Sequence, residues 1–231
     1  MRLRGLRHGP LDGVDLTVPA GELLGVVAPD PADAVALLHC LGREADPASG
    51  VVELDGVALD EYALADARGA VLVAAHDAEL FSGTVHDNVL AGAPRQHHLD
   101  RDLGPAMAAA QADQVVETLP AGGDTEISEQ GRSLSGGQRQ RVALARALAA
   151  GTPVLVLHDP TTAVDTVTEA RIAAGLRVLR RGRTTIVLTT SPALLTVTDR
   201  VVVLDGGRIT AWGSHADLLH SDAAYRETVL T

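Results

Sequence analysis

Leu134-Ser135-Gly136-Gly137-Gln138, running on as Arg139-Gln140-Arg141-Val142-Ala143-Leu144-Ala145-Arg146-Ala147-Leu148, is the stretch best equipped for chemistry. Ser135 stands where a helix N-cap belongs, and the residues that follow are rich in Ala, Leu and Arg, all good helix formers. Gly136 and Gly137 remove side chains from the first turn. Bare N–H groups then project from the positive end of a helix, a surface suited to docking a nucleotide phosphate. The missing Cβ atoms also let a second backbone or a ligand come close. Taken alone, the run fits an ordinary capped helix with a flexible entry as well.

An absence stands against it. All 19 basic residues are arginine. A complete G-x-x-x-x-G-K-[ST] phosphate loop is therefore impossible, because its lysine is missing.

The elements that must hold this run follow from composition and pattern. A length of 231 residues with 46% hydrophobic content suits one large domain, or a core with a lobe. Aromatic residues make up 2%, so Val, Leu, Ile and Ala fill the interior. The formal charge of −11 argues against a phosphate-backbone binder, so no nucleic-acid partner is expected. Cys40 is the only cysteine, which excludes an internal disulfide and fits a reducing compartment. Met1-Arg2-Leu3-Arg4-Gly5 leads into no apolar segment of secretory type, and no uncharged apolar stretch reaches 18 residues.

Apolar runs at Leu23–Ala28, Val51–Leu54, Val71–Ala75, Val154–Leu157, Thr184–Leu188 and Arg200–Leu204 predict strands. Helices are predicted over Ala32–Leu41, Pro105–Gln111, Ser135–Ala150 and Thr166–Arg180. Buried strands alternating with helices predict an α/β fold with a mostly parallel sheet covered on both faces. The mostly helical stretch of about 85–150 interrupts the alternation. We read it as an inserted α-helical lobe, with residues 1–84 and 151–231 as the core and Pro94-Arg95-Gln96-His97-His98 as an exposed loop.

The whole pattern resembles the ATPase domain of ATP-binding-cassette (ABC) transporters, in register over essentially the full chain. LSGGQRQRVALARAL resembles that family's signature motif. Thr125-Glu126-Ile127-Ser128-Glu129-Gln130-Gly131 resembles the X-loop of the exporter branch, and Phe81-Ser82-Gly83-Thr84-Val85-His86-Asp87-Asn88 the exporter segment after the Q-loop. Asp159-Pro160-Thr161-Thr162-Ala163-Val164-Asp165 resembles the end of Walker B and the D-loop, and Asp199-Arg200 through Leu204-Asp205-Gly206-Gly207-Arg208-Ile209 the last core strands. The resemblance implies a P-loop-NTPase-like sheet with an N-terminal antiparallel β part.

The pattern departs from the family at one site. Ala28-Pro29-Asp30-Pro31-Ala32-Asp33-Ala34-Val35-Ala36 occupies the place of the glycine-rich cradle. A working cradle needs glycines that let backbone N–H groups wrap phosphates, a lysine, and a hydroxyl for Mg²⁺. Pro31 has no N–H, Ala34 replaces the lysine, and Val35 replaces the hydroxyl. Asp33 is expected to place a carboxylate close to the polyphosphate. Unit charges about 4 Å apart near a surface interact by roughly 4 kcal/mol. A fraction of that outweighs a few remaining contacts, since about 1.4 kcal/mol is tenfold in affinity.

The other parts of the same site change with it. His158 replaces the Walker B aspartate, and a neutral imidazole is a poor partner for Mg²⁺. Asp159, the one candidate catalytic carboxylate, stands one methylene short of the family's glutamate. His76 replaces the Q-loop glutamine, Thr190 the switch histidine, and His8 falls near the adenine-stacking aromatic. Neither His158-Asp159 nor His97-His98-Leu99-Asp100 has a matching distant ligand set, so no metal site of the protein's own is expected.

In this family two ATPase domains face head to tail, each ATP lying between one P-loop and the other domain's signature. The resemblance therefore implies a degenerate ATPase domain of a heteromeric exporter, at the cytoplasmic face of the cell membrane. Its ATP and Mg²⁺ would be held mainly by a partner domain. Ser135, Gly136, Gly137 and Gln138 would serve that nucleotide in trans, with Asp165 crossing as the D-loop aspartate and Glu129 sensing a transmembrane domain. A catalytically silent regulatory or interaction module is the alternative, and a soluble ABC protein acting on nucleic acid is disfavoured by the charge. Exporter ATPase domains usually follow a membrane domain, so Met1 is expected to be an excised edge. The transported substrate is not legible.

Overall fold

Apolar runs bounded by turn formers become buried strands, and the elements that follow them set the site. The computed structural model describes residues 1–76, 79–93, 103–127 and 133–230. The chain opens with β1 (Arg2–His8), β2 (Leu11–Thr17), β3 (Leu23–Val27), α1 (Pro31–Leu41), β4 (Ser49–Leu54), β5 (Val57–Ala58), α2 (Leu64–Ala70) and β6 (Val71–Ala74). It continues through β7 (Gly83–Thr84), α3 (Val85–Leu90), α4 (Gly104–Ala109), α5 (Ala112–Thr118), β8 (Glu126–Ile127) and α6 (Gly136–Ala149). The last part holds β9 (Val154–His158), α7 (Thr166–Leu179), β10 (Thr184–Leu188), α8 (Pro192–Thr196), β11 (Arg200–Asp205), β12 (Arg208–Gly213), α9 (His215–Ser221) and α10 (Ala223–Leu230).

Two compact units result. The first comprises Met1–Val73, Thr152–Asp159 and the chain from Arg180 onward; the second comprises Ala74–Gly151 and Pro160–Leu179.

In the first unit a six-stranded sheet has the order β12-β11-β3-β10-β9-β6. β11, β3, β10 and β9 run parallel, and β12 pairs antiparallel at the edge. Every residue of β3 and β10 is buried, as a sheet covered on both faces requires. A four-stranded sheet, β2-β1-β4-β5, is antiparallel. α1 joins the two sheets: its Leu37, Leu38 and Leu41 share one apolar cluster with Leu3, Leu6 and Leu11, and with Leu24, Val156 and Ile186. Each fully buried leucine contributes about 1.5–3 kcal/mol. Alternate residues of β3 and β11 face the other way, where Val27, Val201 and Val203 meet Leu218, Tyr225 and Val229 from α9 and α10.

In the second unit α6 packs against α3, α4 and α5, and α7 packs on α4. Gly175 makes the α7–α4 approach possible, since a Cβ there would lie 2.8 Å from Ala109 Cα. β7 and β8 form a short ribbon, pairing Gly83 with Ile127 and Thr84 with Glu126. The grouping differs from a lobe spanning 85–150 in taking in residues 74–84 and α7. Contact with α4 decides where α7 belongs, and its sequence neighbour β9 gives no hint of that contact. The loop 94–98, the pair His97-His98 with Asp100, and Glu129 of the X-loop lie outside the described residues. Among the described residues no helix is long and apolar enough to cross a membrane. The same residues hold no group of three or more His, Cys, Asp or Glu placed for a metal.

Arg180 ties the starts of β9 and β10 together. It is 3% exposed. Its Nε donates to Thr185 Oγ1 at 3.0 Å, Nη1 to Thr152 O at 2.8 Å, and Nη2 to Thr184 O at 2.9 Å and Pro153 O at 3.3 Å. Burial, with Arg183 nearby, pulls its guanidinium down to about 10. Lysine cannot reproduce this planar fork and would leave buried carbonyls without donors. Arg180→Lys is expected to lower the unfolding free energy by about 1–3 kcal/mol, read from a urea titration.

Candidate functional site

The carboxyl ends of parallel strands are where ligands of such sheets bind. Register places Leu188 of β10 between Val26 of β3 and His158 of β9, so residues 28–30, 159 and 189–190 leave the sheet side by side. After β3 the chain enters α1 directly, with Asp30 as N-cap and Pro31 as the first helical residue. Asp30 Oδ1 accepts the Ala32 N–H at 2.8 Å, and Asp30 O accepts those of Asp33 at 3.1 Å and Ala34 at 3.4 Å. Each amide of this turn is either missing, at Pro31, or already has an acceptor in its own chain.

Asp33 does not stand where the sequence places it. Instead of facing a ligand, its side chain is 1% exposed, and Oδ2 accepts the Gly207 N–H at 3.0 Å. Gly207 lies in the turn between β11 and β12, so the carboxylate fastens the start of α1 to that hairpin. Ala34 is buried and Val35 exposed. His158 ends β9 with its Nε2 3.8 Å from Asp159 Oδ2, an ion pair only when the imidazole is protonated. Asp159 takes a left-handed φ of +43° while its N–H donates to Leu188 O at 2.9 Å. Thr190 is exposed two residues beyond β10, and His8 ends β1 half-buried. His76 is exposed and belongs to the second unit, whereas His158, Asp159 and Thr190 belong to the first.

The second unit carries the other constellation. Ser135 caps α6: its Oγ accepts the Gln138 N–H at 3.3 Å, and Gln138 Oε1 accepts the Ser135 N–H at 2.8 Å, closing a capping box. Gln138 thus acts on its own helix end. A hydroxyl that accepts one bond retains its proton for donation outward. The N–H groups of Gly136 and Gly137 are the first two of the helix and have no intrahelical acceptor. No acidic residue lies in this first turn. The helix macrodipole, equivalent to about +0.5 charge, is therefore not offset there.

The loop 160–165 lies against this helix start. A Cβ at Gly137 would come within 2.6 Å of Ala163 O, while one at Gly136 would meet only Ala163 Cβ, at 3.5 Å. Gly137 is needed by a neighbouring backbone, whereas a Cβ at Gly136 would make only ordinary side-chain contact. Asp165 Oδ1 accepts the Val167 N–H at 3.1 Å and the Thr168 N–H at 3.0 Å, capping α7. The bond from Thr168 holds this carboxyl below its ordinary range. The cap therefore adds stability above the usual carboxylate range and loses it as pH falls through the lowered value. Gln140, absent from the sequence-based site, donates from Nε2 to Thr162 Oγ1 at 3.0 Å and accepts the Ala163 N–H at Oε1, 2.9 Å away. Its position four residues after Gly136, on the same helix face, is the signal that could have found it.

A parallel sheet with α1 leaving β3, an inserted helical unit and a bare, capped helix start define a nucleotide-binding domain of the P-loop class. The ABC transporter family profile matches residues 11–162. The chain belongs to that family. It is 38% identical over 227 residues to the ATP-dependent lipid A-core flippase of Cupriavidus pinatubonensis, covering 96% of this chain and 38% of the relative. It is 39% identical over 225 residues to the flippase of the same description from Ralstonia nicotianae, covering 95% of this chain and 38% of the relative. The chain thus spans 38% of the length of these relatives. A solved structure of a bacterial Atm1-family ABC exporter with ATP bound superposes with a TM-score of 0.88 at 32% identity, over 98% of this chain and 41% of the other.

The two glycines separate experimentally. Gly137→Ala is expected to destabilise the protein by about 1–3 kcal/mol through its clash with Ala163 O. Gly136→Ala is expected to stay within about 0.5 kcal/mol of the parent in the same denaturation assay.

Proposed function

We propose that this chain is the nucleotide-binding domain of a heteromeric ABC exporter, that its own P-loop position is silent, and that it completes the ATP site of a different, second domain. The contrast between two helix starts carries the reading. At α6 the Gly136 and Gly137 amides have no intrahelical acceptor and the first turn holds no acidic residue; at α1 the amides are missing or already bonded, behind an Asp30 cap. Phosphate competes poorly for an amide that has an acceptor in its own chain.

The residues of the chain's own site do not fit MgATP. No lysine or hydroxyl stands at Ala34 and Val35, Asp33 is bonded to Gly207, and His158 replaces a carboxylate ligand for a hard cation. No catalytic step runs through Asp159 on this reading. ATP and Mg²⁺ are held mainly by a partner domain with an intact P-loop, in a head-to-tail pair. Ser135 Oγ donates to the γ-phosphate there, and the Gly136 and Gly137 N–H groups stabilise its charge. Asp165 approaches the same site while capping its own helix. Glu129 couples to a transmembrane domain, which places the chain at the cytoplasmic face of a membrane.

The test uses the intact transporter complex. A Cβ at Gly136 would touch only Ala163 Cβ, at an ordinary distance, so Gly136→Glu sets a carboxylate at the positive end of α6 without a backbone clash. ATP turnover at the partner's site is expected to fall about a hundredfold, the scale of losing an oxyanion donor. Unchanged turnover would overturn the in-trans role and leave a regulatory module. Separately, Gly136→Glu/wild-type comparison aside, micromolar MgATP binding to a complex whose partner P-loop lysine has been replaced would overturn the silence of this chain's own site.

A further inference from the structure

The bonds of Gln140 go beyond what the capped helix start requires. Its amide makes two bonds of opposite polarity to consecutive residues of another segment, Nε2 to Thr162 Oγ1 at 3.0 Å and Oε1 from the Ala163 N–H at 2.9 Å. It stands one turn after Gly136, on the helix face that the bare amides share. Gly137, between them, lets Ala163 O come closer than any Cβ would allow. The rest of the loop is fixed from α7 and from within: Thr161 Oγ1 donates to Glu169 Oε1 at 2.6 Å and Asp165 caps the helix, while inside the loop Val164 N–H donates to Thr161 O at 3.1 Å.

We infer that Gln140 is a positioning residue that locks the loop 160–165 to the start of α6. The signature turn and the D-loop then reach a partner's nucleotide as one body. This rests on the in-trans reading above for its effect on turnover, but not for the lock itself. Chemistry explains why glutamine suits the place. A main-chain N–H needs an acceptor and a threonine hydroxyl takes either role, so one planar amide holds both. Glutamate keeps an acceptor for the Ala163 N–H, and the Thr162 hydroxyl can turn round to donate to it. Leucine, a good helix former, removes both bonds while preserving α6.

The test compares Gln140→Leu and Gln140→Glu in the intact complex, by hydrogen exchange and by ATPase kinetics. For Gln140→Leu the 161–165 segment is expected to exchange faster while α6 keeps its protection. kcat at the partner's site is expected to fall roughly tenfold at unchanged KM for ATP, the consequence of a misplaced loop and not of lost binding. Gln140→Glu is expected to bring both readouts back to within about twofold of the parent. Unaltered exchange over 161–165 in Gln140→Leu would overturn the lock, and so would a raised KM at unchanged kcat, which would put Gln140 on the nucleotide itself. Gly136→Glu, measured alongside, separates the two claims. If it leaves turnover intact, the in-trans reading fails, and the exchange data still decide the lock.

Discussion

A helix begins with N–H groups that nothing inside the helix can satisfy. How that demand is met differs between the starts of α1 and α6. At α6 a serine and a glutamine close a capping box, and the two glycine amides between them are left for something outside. At α1 an aspartate cap, a proline and the cap's own carbonyl meet the demand internally. Both helices are well capped, and both are stable for that reason. Only one has amides to offer.

The same constraint explains why two adjacent glycines are not equivalent. Gly137 admits the Ala163 carbonyl, so its missing Cβ serves a contact within the chain. A Cβ at Gly136 would make only ordinary contact with Ala163, so no neighbouring backbone requires its absence. The loop held at Gly137 is also held by Gln140 and by α7, through bonds to Thr161, Thr162, Ala163 and Asp165. If it meets a partner's nucleotide as proposed, this surface gains from such stiffness, because an ångström of play weakens every donor at once.

Much of this was legible in the sequence, for identifiable reasons. β3 and most of β9 and β10 are apolar without alternation because strands buried on both faces have no solvent side to alternate with. The start of α6 was legible because capping is local chemistry, complete within Ser135 to Gln138. The direction of Asp33 was not. Its partner Gly207 lies 174 residues away, and spacing carries no information about a contact that only the folded sheet creates. Gln140 was missed for a similar reason: the helix pattern fixes its face, but the loop it meets comes from after β9. The place of α7 depends on Gly175 against Ala109, which is again visible only once two helices are packed.

On the proposed reading, these distances bear on how a phosphate loop can be lost. Removing the lysine alone would leave a cradle of amides still requiring an anion, a helix start poorer than before. The residues present here solve that problem together. Pro31 deletes one donor, Asp30 takes up the next, and Asp33 supplies a negative charge at the first turn from inside the fold, where Gly207 meets it. An aspartate in the first turn of a helix is favoured by the macrodipole, which the bound phosphate would otherwise answer. On that reading the residues act as a set that stands in for a ligand, keeping α1 anchored beneath the Leu3, Leu6 and Leu24 cluster that both sheets of the first unit share. Stability of the fold accounts for that set as directly as the proposed silence of the site does. The start of α6 carries no such set: its first turn has neither proline nor acidic residue, and the proposed in-trans role is what accounts for that difference.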